Sequence, residues 1–372
     1  MRVALLAPAW FAVPPVRYGG IEWVVSHLAD GLVDRGHDVT LFAAGDSQTK
    51  AQLVTSYDEP PSYRIGLSLP DLHHALTCLE RAGEFDVVND HSGPLACALG
   101  QVIATPFCHT VHGPLRGEPG TIYAQIARVC PRVGLISLSY DQRSPLPNLP
   151  WLATCHNAID LEDYPYDPGD DGYLLFLGRM APDKGAHNAV RIALETGLPL
   201  KLAGKMHDPE ERAHFDATVS PHLNDRIEYL GEVSHDEKVQ LLQRALLTVF
   251  PIQWAEPFGL VMVESMACGT PVLATAMGAV PEVVEQGRGG IVADTVDELA
   301  GRVAEAAALD RAGVRAVAEE RFSAERMVTE YELAYERLIE RAGARNGAAR
   351  IRGRLRRPRL RRPLSAGSGG GR

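Results

Sequence analysis

Two glutamates, Glu256 and Glu264, stand out in the run Glu256-Pro257-Phe258-Gly259-Leu260-Val261-Met262-Val263-Glu264, which continues through Ser265-Met266-Ala267-Cys268-Gly269-Thr270-Pro271-Val272. Ionised carboxylates accept hydrogen bonds and donate none, so the pair suits the hydroxyls of a sugar, while by itself it would repel a phosphate. A cationic pair lies in Gly178-Arg179-Met180-Ala181-Pro182-Asp183-Lys184-Gly185. Arginine grips two oxygens at once and lysine adds a movable point charge, so a glycine-bounded loop carrying both suits a diphosphate. It is not a P-loop, because Gly-x-x-x-x-Gly-Lys-Ser/Thr is absent. Two further polar clusters, Asn89-Asp90-His91 and His112-Gly113, close apolar runs. By strand alternation His109 faces away from His112, and a structural role is expected for it. No Asp-x-Asp or His-x-x-x-His accompanies His91, His109 and His112, so no metal site is expected.

These residues need elements to hold them. Leu246-Leu247-Thr248-Val249-Phe250 reads as a buried strand, 251–257 as a loop, and Gly259 to Ala267 as a helix stopped by Cys268-Gly269. Free amides at the start of that helix favour an anion. At the other end of the chain, Val3 to Ala7 is a strand. A loop then leads to Gly19-Gly20, a helix runs from Ile21 to Arg35, and Asp38 to Phe42 is the next strand. This is the opening βαβ unit of a parallel sheet, and Gly19-Gly20 lets the backbone approach a ligand closely. No Gly-x-Gly-x-x-Gly is present, so it is not a dinucleotide fingerprint. Further strands are expected at 86–89, 106–111, 134–138, 173–177, 198–203 and 227–230, and Val272 to Ala274 reads as another. Ser234-x-x-Glu237 and Thr295-x-x-Glu298 read as capping boxes. Polar residues at the C-terminal ends of such strands face the crevice where open α/β sheets bind ligands.

A chain of 372 residues suits two domains. The Pro-, Gly- and Asp-rich stretch 157–172 marks the junction. The expected boundaries are a first domain at 1–165, a second at 166–322, a helix at 323–344 and a basic disordered tail at 345–372. That tail holds ten arginines and no acid, leaving 27 basic and 47 acidic groups elsewhere, a net of −20. Such a body repels phosphate backbones, so nucleic acid is not an expected partner. The tail suits contact with anionic lipid headgroups. Six cysteines without a Cys-x-x-Cys pair, mostly in or beside apolar runs, read as reduced core residues of a cytoplasmic protein. Prolines interrupt the N-terminal apolar run, so it reads as a first strand and not as a signal peptide.

The run 256–272, with its Glu-x7-Glu spacing, Pro-Phe-Gly core and Gly-Thr-Pro-Val exit, resembles the signature of retaining glycosyltransferases of family 4. Gly-Arg-x-x-x-x-Lys-Gly at 178–185 is similar to that family's pyrophosphate loop. Thr110-Val111-His112-Gly113 is similar to its Thr-x-His-Gly, and Tyr18-Gly19-Gly20-Ile21-Glu22 to its donor-facing loop. Asn157-Ala158-Ile159-Asp160 departs from the family's Asn-Gly-Val-Asp at the junction, and Glu282 reads equally as a helix-start acid or a ligand contact. The resemblance implies a GT-B fold, two Rossmann-like parallel-sheet domains facing across a crevice, and transfer of a sugar from a nucleoside-diphosphate sugar to an acceptor hydroxyl without a metal cofactor. It implies that 1–165 binds the acceptor, that 166–322 binds the nucleotide sugar and that the helix at 323–344 returns to the first domain, with catalytic roles for Glu256, His112, Arg179 and Lys184. Donor contacts would come from Gly19, Gly20, Arg179, Lys184, Glu256, Phe258, Gly259, Leu260 and Glu264, with Glu264 on the ribose and Glu256 on the transferred sugar. The rival readings are a nucleotide-sugar epimerase of the same architecture, a noncatalytic nucleotide-sugar sensor and a nicotinamide oxidoreductase.

Overall fold

The computed structural model describes residues 1–16, 19–206 and 208–355. Tyr18 and residues 356–372 of the tail lie outside the described residues. The first sheet is formed by β1 (Arg2–Leu6), β2 (Asp38–Ala43), β3 (Gln52–Thr55), β4 (Val87–Asp90), β5 (Phe107–Thr110), β6 (Gly134–Ser137) and β7 (Trp151–Thr154). The second contains β8 (Leu174–Leu177), β9 (Leu200–Ala203), β10 (Ile227–Gly231), β11 (Leu247–Phe250), β12 (Val272–Thr275) and β13 (Gly290–Ala293). The strand orders are β3-β2-β1-β4-β5-β6-β7 and β10-β9-β8-β11-β12-β13, every pair parallel. Two Rossmann-like domains result. Each is buried on both faces, which is why Val3-Ala4-Leu5-Leu6 and Leu174-Leu175-Phe176-Leu177 are continuously apolar instead of alternating.

Strand order reverses between β1 and β4 in one sheet and between β8 and β11 in the other. Crevices open at such switch points, beyond the strands' C-terminal ends. The loops leaving β1, β4, β8 and β11 carry Gly19-Gly20, His91, Arg179 and Glu256 respectively.

Three strands absent from the sequence reading, β3, β7 and β13, all lie at sheet edges. Each has only four residues, and β3 buries neither face fully, so no periodicity marks it. Ser234 and Glu237 form the expected reciprocal cap. Thr295 does not: its hydroxyl donates to the Glu298 carboxylate at 3.0 Å and receives no helix amide.

The last helix, Ala324–Leu355, packs Met327, Tyr331, Tyr335 and Leu338 into the core of the first domain. Its backbone continues past 344, so the boundary placed there falls inside a helix, and the described part of the tail is helical to Leu355. A second link crosses near the crevice. The Glu282 carboxylate accepts from the amides of Tyr140 (2.8 Å) and Asp141 (3.3 Å) and from His156 Nε2 (2.6 Å). Glu282 therefore caps a short helix of the opposite domain. All six cysteines are buried and free of disulfides. Burial pushes the Cys268 thiol up to about 12.

Candidate active site

Between the domains lies a cavity of about 520 Å³, within the ~300–1,000 Å³ span of small-molecule sites. A smaller one of about 170 Å³ adjoins it. Gly20, His112, Arg179, Lys184, Glu256, Phe258, Gly259 and Leu260 line the first, while Gly19 and Glu264 line the second. Ten residues chosen from separate stretches of sequence thus border one continuous site. The Phe258 ring is only 2% exposed and packs against His156 and Phe322, so its side chain mainly shapes the loop.

The charged groups meet in pairs. Lys184 Nζ donates to Glu256 Oε2 at 2.6 Å and sits 4.4 Å from the centre of the Trp254 ring. Lys238 Nζ donates to Glu264 Oε1 at 2.7 Å, and Tyr164 Oη donates to the same oxygen at 2.8 Å. Arg179, which lines both cavities, reaches Glu211 at 3.3 Å. Burying Glu256 and Glu264 would be costly without these partners. Lysine has three donors, so Lys184 can hold Glu256 and still reach an incoming phosphate oxygen. Two glycines place Glu256. Gly259 (φ 86°) opens the helix Leu260–Ala267, and a Cβ there would stand 3.3 Å from Glu256 Cγ and 2.6 Å from Met262 Cε. At Gly278 (φ 60°) a Cβ would lie 2.3 Å from the Glu256 amide nitrogen, so this loop can close on Glu256 only without a side chain.

On the opposite wall, hydrogen bonds define the state of two histidines. Tyr335 Oη donates to Asn89 Oδ1 (2.7 Å), which also accepts from His91 Nε2 (3.0 Å). His91 Nδ1 is then the unprotonated nitrogen and accepts from His112 Nε2 at 2.9 Å. His112 is left with Nδ1 as an acceptor, able to take a sugar hydroxyl proton in a hydrogen bond. Burial lowers both rings below the usual imidazole range, His112 to about 3, so the pair is neutral near pH 7. His109, held by Asp90 at 2.6 Å and Tyr123 at 2.8 Å, lines a neighbouring cavity together with His91 and His112. It does not face away from His112 as strand alternation suggests, because the strand ends at Thr110. Among the described residues, no group of three or more His, Cys, Asp or Glu is arranged to hold a metal ion.

Sequence reasoning missed Lys238, Trp254, Glu211 and the roles of Asn89 and Tyr335. The only signal for Lys238 was its position one turn into a capped helix, which by itself reads as solvated surface. Glu22 was noted only as part of a motif. It is 4% exposed on the cavity wall, and burial raises its pKa to about 7, opposed by its own backbone amide and by Lys205 across the cleft. Between pH 4.5 and 7 the native carboxyl keeps a proton that the unfolded chain has released, so stability falls through that window and stays lower above it. The implied cost at pH 8 is about 3 kcal/mol. Glu22→Gln should therefore raise Tm relative to the parent at pH 8 and change it little at pH 4.5. Equal Tm differences at both pH values would contradict this.

Comparison with known proteins agrees with the geometry. Residues 18–163 match the model of "Glycosyltransferase Family 4", and residues 165–320 that of "Glycosyl transferases group 1". Glycogen synthase of Mycobacterium tuberculosis is 26% identical over 347 residues, covering 78% of this chain and 82% of that protein. D-inositol 3-phosphate glycosyltransferase of Pseudarthrobacter chlorophenolicus is 26% identical over 333 residues, covering 74% and 78%. The crystal structure of AviGT4, a glycosyltransferase involved in avilamycin A biosynthesis, superposes with a TM-score of 0.68 at 27% identity, covering 91% of this chain and 98% of that one. Anabaena Alr3699/HepE, crystallised with UDP and glucose, shares the fold at 19% identity with a TM-score of 0.69, covering 89% and 98%. Both halves match in sequence and the paired-domain fold is shared, so the chain belongs to the family 4-type glycosyltransferases of GT-B architecture and is a glycosyltransferase.

Proposed function

We propose that this enzyme moves a sugar from a nucleoside-diphosphate sugar to an acceptor hydroxyl with retention of configuration and without a metal cofactor. The observation that carries the reading is the meeting of Arg179 and the Lys184–Glu256 pair at one cavity, with the Lys238–Glu264 pair on the cavity beside it. The UDP and glucose bound by Anabaena HepE support a nucleotide-sugar donor. In this reading the second domain holds the donor and the first holds the acceptor. Glu264 takes ribose hydroxyls, Glu256 faces the transferred sugar, and His112 Nδ1 accepts from a sugar hydroxyl. The bond from the anomeric carbon to the phosphate oxygen breaks as the acceptor oxygen bonds to the same face. The departing phosphate takes the acceptor's proton. Arg179 and Lys184 offset the charge that develops on it, the role a divalent ion plays elsewhere.

The test is a panel of nucleotide sugars followed by nucleoside diphosphate release, with and without candidate acceptors and with and without a chelator. One donor should be consumed faster when an acceptor is present, its anomeric configuration should persist in the product, and the chelator should leave the rate nearly unchanged. Activity lost to the chelator and restored by magnesium or manganese would refute the cationic clamp, and an inverted product would refute retention. A donor that binds but is never consumed would favour a sensor.

A further inference from the structure

The smaller cavity holds a residue that lies outside the motifs quoted above. Its far wall belongs to the second domain and includes Arg179, Val233, Lys238 and Glu264. Its near wall is Trp23, on the first helix of the other domain, Gly20–Asp34. Trp23 is the only aromatic residue lining this cavity among the described residues, and it is half-buried.

The indole is held from both domains. His27, one turn along the same helix, lies 5.7 Å away between ring centres at 28°, and His235 of the second domain lies 5.2 Å away at 38°. His235 in turn meets the Tyr164 ring edge-on at 5.3 Å, and Tyr164 Oη donates to Glu264. A chain of ring contacts therefore links Trp23 across the domain boundary to the carboxylate that faces the same cavity. A large ring fixed in this way loses little entropy when a flat heterocycle packs against it. A solvated surface residue would have no need of two imidazoles and a partner domain to hold it.

We propose that Trp23 is a nucleoside contact supplied by the acceptor-side domain, so that a bound nucleotide is gripped by both domains at once. This rests on the reading that the cleft takes a nucleoside-diphosphate sugar. Its consequence is that donor affinity depends on a residue outside the domain that carries the phosphate clamp, and that filling the donor site steadies the acceptor side before chemistry begins.

Calorimetric titration of the full chain and of Trp23→Ala and Trp23→Phe tests the proposal, using UDP, GDP and ADP alongside inorganic pyrophosphate. The nucleotide that wild type binds best should bind Trp23→Ala at least ~5-fold more weakly, the equivalent of ~1 kcal/mol for truncating an anchoring aromatic. Trp23→Phe should keep most of the affinity, and pyrophosphate should bind all three proteins alike. Nucleotide affinity unchanged in Trp23→Ala would overturn the proposal. So would a parallel loss of pyrophosphate binding, which would show that the substitution disturbs the clamp and not a nucleoside contact. If wild type binds none of the nucleotides, the functional reading fails instead.

Discussion

Lys184→Ala is expected to lower turnover of the donor by roughly 30- to 4,000-fold while leaving the fold intact, the equivalent of the ~2–5 kcal/mol lost when one member of a buried charge pair is truncated. Two losses combine. The donor's diphosphate gives up a cation, and Glu256, 9% exposed, gives up the ammonium at 2.6 Å that offsets its burial. Because the two side chains touch, their effects should not add. With Glu256→Gln already in place, removing Lys184 no longer strands a carboxylate, so the double variant should be less impaired than the product of the singles. A double-mutant cycle on kcat/KM for the donor measures the coupling, and circular dichroism melts confirm folding. Unchanged donor affinity and rate in Lys184→Ala would take the loop out of the site.

The second large effect separates the two glutamates. Glu256→Gln should lower kcat at least ~10-fold, about 1.4 kcal/mol, with nucleoside diphosphate binding largely kept. Glu264→Gln should raise the donor's KM with a modest change in kcat. The reason lies in what each carboxylate faces in the proposed complex. Positive charge grows on the sugar as its bond to phosphate breaks, so Glu256 contributes more in the transition state than in the ground state. Ribose is unchanged by the reaction, so contacts to it act mainly through affinity. Glu264 is also held by Lys238 and Tyr164, so its replacement loosens a wall of the nucleotide cavity as well as one acceptor. Titration with the nucleoside diphosphate alone should find Glu264→Gln weak and Glu256→Gln normal. The reverse order would refute the assignment.

The interdomain contacts bear on both tests. Glu282 was ambiguous as a ligand group, yet its carboxylate is taken up by His156 and by two amides across the crevice. It links the two domains and is not among the residues lining either cavity. The Ala324–Leu355 helix does the same from the other side through Tyr335, whose hydroxyl begins the hydrogen-bond chain that ends at His112. Changes in that helix can therefore reach the site without touching a ligand.

Much of this protein could be read from its residues in order. Central strands are buried on both faces, so Val3-Ala4-Leu5-Leu6 and Leu174-Leu175-Phe176-Leu177 are uninterrupted apolar runs. The loops leaving the central strands carry glycines, cations and carboxylates of types that suit a sugar diphosphate. Local chemistry of this kind is written in adjacent residues, because a turn, a helix start or a strand end involves only a few neighbours. The edge strands β3, β7 and β13 escaped notice because a short strand paired on one side needs no distinctive pattern. The partners of the functional groups also escaped, because Lys184 and Glu256 are 72 residues apart, Tyr335 and Asn89 are 246 apart, and Trp23 reaches its cavity from the other domain. Such pairs exist only once strand order has set which loops share a crevice and the returning helix has set how the two sheets face each other. Residue types and their spacing indicated the chemistry proposed for the site, whereas the tautomer of His112, the counter-ion of each glutamate and the place of Trp23 were decided by tertiary packing, since burial and distance, which govern charge and hydrogen bonding, belong to the folded chain.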